Sequence, residues 1–218
     1  SGDWACALSG ALPDGAHTLD AVATDAAGNT GARSPQVSFT VASGTAVSAP
    51  VITRPADAAT LAESRPAISG VAEPFSSVTL SLDGATLCTV LVGADGLFVC
   101  TPGSDLSDGA HAASATASAN GQSSAPSATV TFTIDTQAPV APAITSPDTG
   151  SQTDRTPVIA GSAEAGVTVE VRIDGQLVCV TTADANGQWR CPQSQPLPPG
   201  EHVAEAVATD AAGNRSAP

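Results

Sequence analysis

Lysine, methionine and tyrosine are absent from these 218 residues, and aromatic side chains make up only 3% of them. One large core needs bulk that such a chain does not supply, so several small cores with thin side chains fit better. No apolar run approaches the roughly 18 residues of a membrane span, and no basic-then-apolar signal segment opens the chain. Positive charge is scarce. Seven basic residues, all arginine, stand against 21 acidic ones, for a net charge of −14. Such a surface repels phosphate backbones and anionic lipid, which argues against nucleic acid and membrane insertion and leaves cations as attracted partners. No phosphate loop, metal-hydrolase motif or nucleophile elbow is present, and we read no enzyme here. What the chain does hold is alanine, about a fifth of the total, with many Gly, Pro, Ser and Thr residues. That composition predicts turns between short strands and little helix.

Internal repetition decides the architecture. Gly2-Asp3-Trp4-Ala5-Cys6, Gly96-Leu97-Phe98-Val99-Cys100 and Gly187-Gln188-Trp189-Arg190-Cys191 match one another. Eleven residues after each cysteine stands a histidine: His17, His111 and His202. Two before each histidine is a glycine (Gly15, Gly109, Gly200), and five before it a leucine (Leu12, Leu106, Leu197). The last two copies also match upstream, where Asp83-Gly84 parallels Asp174-Gly175 and Cys88 parallels Cys179. The period is 91 residues between Cys100 and Cys191 and 94 between Cys6 and Cys100. We expect three domains: 1–42, the C-terminal part of a repeat; 49–135, a complete repeat; and 139–218, a repeat lacking its last strand. The expectation is a window cut from a longer tandem array.

Within a repeat, short alternating runs are separated by turn residues. Val78, Leu80 and Leu82 alternate with Thr79 and Ser81 before Asp83-Gly84. Val167, Val169, Val171 and Ile173 do the same before Asp174-Gly175. Period two over short segments predicts half-buried strands. We place seven, near 51–53, 66–72, 77–82, 86–92, 97–101, 110–119 and 128–134. The alanine-rich stretch after each histidine is read as strand, because it lies between turn signals with no capped amphipathic period. The fold class is all-β: tandem seven-stranded immunoglobulin-like β-sandwiches, each with one hairpin disulfide.

The residues Gly161-Ser162-Ala163-Glu164, Asp174-Gly175, Ala183-Asp184-Ala185-Asn186-Gly187-Gln188-Trp189, Gly200-Glu201-His202 and Ala208-Thr209-Asp210-Ala211-Ala212-Gly213-Asn214 then carry a resemblance. So does the linker Asp135-Thr136-Gln137-Ala138-Pro139. The chain resembles bacterial immunoglobulin-like domains found in tandem in large surface adhesins and biofilm-associated proteins. The resemblance covers nearly the whole chain and implies a fold and a setting rather than a particular ligand. The cysteines depart from most of that family.

Cys88 and Cys100 are 12 apart, as are Cys179 and Cys191, and each pair brackets a turn. A hairpin folded there sets the partners opposite each other, with Cα atoms about 4.5–5.5 Å apart, within disulfide range. We predict Cys88–Cys100 and Cys179–Cys191. The partner of Cys6 falls outside this sequence, and a free redox thiol is the alternative. Paired cysteines imply an oxidising compartment, so the setting is secreted or cell-surface. The three histidines read as one structural position at the start of a strand. Trp4, Phe98 and Trp189 share the cysteine face and are expected in the core. A sugar-binding platform is the other reading for them.

In the last repeat the loops facing the preceding domain carry Glu164, Asp184 with Asn186, and Asp210 with Asn214; the incoming linker carries Asp135. The opposite end of the middle repeat holds Asp57, Asp83, Asp105 and Asp108. Apposed acidic ends favour an intervening cation, and calcium takes six to eight oxygen ligands in flexible geometry. Resembling adhesin arrays carry calcium at domain junctions. The expected ligands are therefore Asp135, Glu164, Asp184, Asp210 and Asn214. The alternative is that these are simply good turn residues. The middle repeat replaces the Asp210 loop with Thr116-Ala117-Ser118-Ala119-Asn120-Gly121, so the first junction is expected to be metal-poor and looser. The functional expectation is a spacer in an extracellular adhesin or surface fibre, with neighbouring repeats as its partners. The alternatives are a module binding a surface glycan or protein, and a filament subunit that assembles by strand addition.

Overall fold

The computed structural model describes residues 4–13, 15–41 and 46–218, and every regular element in it is a β-strand. The chain divides into two compact units, Ser1–Ala46 and Val47–Pro218. The first unit contains β1 (Gly15–Leu19) and β2 (Val37–Val41), an antiparallel pair in which His17 lies opposite Phe39. No second sheet faces this pair among the described residues, and Trp4 is 71% exposed. The expectation of a core tryptophan at this position is therefore corrected: the aromatic has no opposing sheet to pack against. The same position is buried in the other copies, at 3% for Phe98 and 2% for Trp189.

The second unit begins with a complete repeat. Its strands are β3 (Val51–Arg54), β4 (Ala59–Leu61), β5 (Ile68–Val71), β6 (Ser77–Leu82) and β7 (Ala85–Leu91). They continue with β8 (Leu97–Cys100), β9 (Gly109–Ala119), β10 (Gln122–Ser123) and β11 (Val130–Ile134). One sheet has the order β3-β5-β8, and the other β4-β11-β9-β6-β7 with β10 beside β9. All seven predicted strands are present. Two more, β4 and β10, were not read from the sequence because each is too short to show an alternation. β4 runs parallel to β11. Asp57 anchors the segment before it by accepting the amide and hydroxyl of Thr131.

Inward residues alternate along the strands, as period two requires. β6 buries Val78, Leu80 and Leu82, and β9 buries Ala113, Ala115 and Ala117. The alanines of β9 are thin, and the wholly buried Phe132, Phe98 and Ile68 supply bulk around them. Phe98 closes over Gly70, where a Cβ would stand 2.6 Å from its ring.

The last repeat repeats the plan with β12 (Ala143–Ser146), β13 (Val158–Ser162), β14 (Thr168–Ile173), β15 (Gln176–Thr182), β16 (Gln188–Pro192) and β17 (Ala204–Thr209). Its sheets are β12-β13-β16 and β15-β14-β17. Trp189 lies over Gly161 as Phe98 lies over Gly70. The Asp83-Gly84 and Asp174-Gly175 turns link β6 to β7 and β14 to β15. Both residues of each turn have positive φ (52° and 80°; 50° and 78°), the conformation that two-residue hairpins favour.

Disulfides join Cys88 to Cys100 and Cys179 to Cys191, with Cα separations of 6.3 and 6.1 Å. Their setting corrects the sequence reading. β7 pairs with β6 and β8 pairs with β5, so Cys88 and Cys100 are not opposed on one hairpin. Each disulfide instead staples one sheet to the other along an open side of the sandwich. The physical reason lies in the connection. Val92 is wholly buried and exchanges backbone bonds with Phe75 and Ser76, which carries the chain across from one sheet to the other. A β-bulge in β7 places Leu87 and Cys88 side by side, both half-buried, and turns the cysteine toward β8. Cys6 is exposed and unbonded to another cysteine.

Candidate functional site

The linker from β11 to β12 is held from both sides by named side chains. On the side of the middle repeat, Asp135 donates its amide to the Leu61 carbonyl at 2.9 Å. Asp108 accepts the Thr136 amide at 3.0 Å, the Thr136 hydroxyl at 2.9 Å and the Gln137 side-chain amide at 3.2 Å. The Thr136 amide first, then its hydroxyl and Gln137, hold the Asp108 carboxyl below the usual carboxylate range. On the side of the last repeat, Asn214 donates Nδ2 to the Asp135 carbonyl at 2.7 Å. Glu164 accepts the Val140 amide, also at 2.7 Å. Asp210 aims Asn214: its carboxylate accepts the amides of Gly213 and Asn214 and the Asn214 Nδ2. Burial works against the charge on Asp210, but these bonds outweigh it and lower its pKa.

Four of the five expected junction residues, Asp135, Glu164, Asp210 and Asn214, thus meet at the linker. They meet as hydrogen-bonding partners of backbone and amide groups. Asp184 does not join them; it accepts the amides of Asn186 and Gln188 in its own hairpin turn. Among the described residues, no group of three or more His, Cys, Asp or Glu side chains could hold a metal ion. Calcium needs a cage of six to eight oxygens. Here the Asp135 carboxylate already accepts the Gln137 amide, and Asn214 presents hydrogens rather than oxygen to the linker. This donor set does not fit calcium. At the linker the carboxylates of Asp108, Asp135, Glu164 and Asp210 are each engaged by amide or hydroxyl donors of the linker or of their own loop.

The start of the middle repeat provides a comparison. Glu73 occupies the position of Glu164 and reaches the Ser48 amide at 3.5 Å, against 2.7 Å for Glu164 and Val140. In place of the Asp210 loop the chain turns at Asn120 and Gly121, and among the described residues no side-chain amide from this turn reaches the incoming linker. The rest of the expectation for the first junction falls on residues 42–45, outside the described residues.

A second constellation was not paired in the sequence reading. His111 places Nδ1 2.7 Å from Asp83 Oδ2 and Nε2 2.9 Å from the Ser107 carbonyl. His202 places Nδ1 2.6 Å from Asp174 Oδ2 and Nε2 2.9 Å from the Pro198 carbonyl. Each aspartate also accepts the next amide along, Ala112 or Val203. The histidine and the Asp-Gly turn are both repeated motifs separated by 28 residues in both copies, which is the signal that would have joined them. His17 lies in β1 and His111 in β9, near their starts as expected, whereas His202 stands two residues before β17; His111 and His202 in addition tie the hairpin turn to the loop before β9 or β17.

The arrangement has clear relatives. The sequence profile of the bacterial Ig-like domain matches residues 54–136 and again 138–218. The solved fibronectin(III)-like modules of Clostridium thermocellum CbhA superpose with a TM-score of 0.55 at 17% identity, covering 76% of this chain and 88% of theirs. The BSP domain of a biofilm-associated protein is 23% identical, with a TM-score of 0.30, over 78% of this chain and 28% of that one. The FN1-FN3 domains of chicken CNTN1 are 12% identical, with a TM-score of 0.46, over 93% of this chain and 72% of theirs. No curated protein matches the chain. Two successive profile matches, on two sandwiches with this strand order, place the chain in the bacterial Ig-like domain family.

Proposed function

We propose that this chain is a spacer segment of a bacterial surface adhesin or fibre, carrying a recognition domain away from the cell. The observation that carries this reading is the linker held between two sandwiches by Asp108 on one side and Asn214 and Glu164 on the other. A linker gripped at both ends transmits orientation, which a tether does not need and a rod does. The disulfide in each of the last two repeats supports the same reading, because a covalent tie between two sheets limits how far a pulled domain extends. Stretching the chain between its ends tests this. With about 3.3–3.6 Å per extended residue, reduction should lengthen the unfolding step of each disulfide-bearing repeat by roughly 35–40 Å. A step length indifferent to reductant would count against the mechanical role.

A second reading, a binding module, is favoured by one surface. Val51, Val71 and Leu97 lie in a lateral row on the outer face of β3-β5-β8, beside Val99. They are 56%, 42%, 57% and 57% exposed. The equivalent row in the last repeat is Ala143, Ser162, Gln188 and Arg190. Only the middle repeat would dock an apolar partner there. Retention of the chain on a glycan or protein array, lost in Val71→Asp, would move the assignment to this reading.

A further inference from the structure

The two histidine clasps are built alike, and one of them stands beside the junction. The acceptors around His111 are a carboxylate and a carbonyl, and neither can donate. Both ring nitrogens can be satisfied only when both carry hydrogen. A neutral ring would turn a lone pair toward an oxygen and lose one of the two bonds. The Ser107 carbonyl that accepts from Nε2 belongs to the residue before Asp108, whose carboxylate holds Thr136 and Gln137. Behind the ring, Phe132 of β11 packs at 5.7 Å between centroids. The ring therefore ties together the β6–β7 turn, the loop before β9 and the strand that leads into the linker.

We infer that His111 and Asp83 form a pH-operated clasp that is closed while the imidazole is protonated, and that its opening frees the turn at Ser107 and Asp108 and loosens the grip on the linker. The inference rests on the junction reading and supplies its regulation. The acidic groups on the elements around His111 are Asp83 in the β6–β7 turn, Asp105 and Asp108 in the loop before β9, and Asp57 in the segment before β4, bonded to Thr131 of β11. These favour the imidazolium; Glu63 and Arg65 lie on the segment packed against the same loop, where Arg65 is held by the Pro102 carbonyl at the end away from His111. The Ser107 carbonyl first, then Asp83, raise the His111 pKa, and partial burial opposes them without cancelling them. Burial pushes the Asp83 carboxyl up, but the His111 bond, the Ala112 amide and the imidazolium charge together bring it below its ordinary value. His202 is raised by Asp174 first and the Pro198 carbonyl second, so the last repeat carries the same device.

The sign follows from linkage. A histidine with a raised folded pKa contributes fully below its unfolded value of about 6.5, and that contribution is lost as pH rises through the folded pKa. The aspartate side is lost only as pH falls through its own lowered pKa. The clasp is therefore closed below the unfolded value of about 6.5 and opens as pH rises through the higher, folded pKa.

The test uses the whole chain, with imidazole nitrogen NMR and hydrogen exchange of the Thr136 amide, corrected for intrinsic rate, from pH 5 to 9. In the wild type, His111 and His202 should be doubly protonated at pH 6. Thr136 protection should be lost progressively as pH rises through the folded pKa of His111. His111→Gln should make that protection independent of pH. If that variant does not fold, Asp83→Asn takes its place and should move the fall to lower pH. A neutral His111 at pH 6, a pH-independent Thr136 in the wild type, or an unchanged fall in the variants would overturn the inference. Asn214→Ala tests the junction separately. A linker that ignores Asn214 removes the junction reading, whereas one that depends on Asn214 but not on pH removes only the clasp.

Discussion

The side-chain amide of Asn214 donates to the main-chain carbonyl of Asp135, 79 positions earlier, at 2.7 Å. This bond joins the last loop of one sandwich to the linker that leaves the other. Asp210 pre-orients it, so little freedom is lost when it forms. Asn214→Ala removes one neutral hydrogen bond, a net cost of about 1 kcal/mol. The larger effect should be on orientation. Residual dipolar couplings should fit one alignment tensor for residues 47–218 in the wild type and two in the variant.

Metal removal should change nothing. The junction carboxylates are occupied by Thr136, Gln137, Val140, Gly213 and Asn214. Thermal unfolding in excess chelator and in millimolar calcium should give the same midpoint. A calcium-dependent rise would mean that these loops rearrange into a cage they do not form here, since a ligand that binds only the folded state raises its stability.

Loss of a disulfide should be costly. Cys179→Ala with Cys191→Ala reopens a loop of 12 residues in the unfolded chain, worth about 3 kcal/mol on the chain-entropy estimate. Denaturant melts of the last repeat should show a loss of this size. A loss below about 1 kcal/mol would mean that the two sheets hold together without the staple.

The aromatic over the glycine supplies a paired test. Trp189 is buried with its indole N–H unpartnered, and the middle repeat uses Phe98 in the same place. An unpaired buried donor costs about 1–3 kcal/mol, which offsets the volume lost in Trp189→Phe, so that variant should be nearly neutral. Gly161→Ala should not be neutral. Its Cβ would stand 2.6 Å from the indole and closer still to the Ala143 carbonyl, and overpacking of this kind costs about 1–3 kcal/mol or more. Chemical denaturation of both variants would separate the two outcomes.

The order of the repeats, the seven longer strands of the middle repeat and the cysteine partners could be read from residues 1–218 alone, but not the short β4 and β10. Alternation such as Val78-Thr79-Leu80-Ser81-Leu82 reports local burial, and Asp83-Gly84 reports a local backbone conformation. Both are short-range properties. The sequence also located the junction at Asp135, Glu164, Asp210 and Asn214, because loops at one end of a sandwich follow from strand order. Tertiary structure decided which sheet each strand joined. β7 and β8 are neighbours in sequence yet lie in different sheets, β7 on β6 and β8 on β5, and the disulfide became a staple between layers. It decided the fate of the carboxylates too. A carboxylate oxygen can either accept a hydrogen bond from an amide or give its lone pair to a metal ion, and the path of the Thr136–Gln137 backbone past Asp108, and of Asp83 past His111, determined which partner stood within about 3 Å.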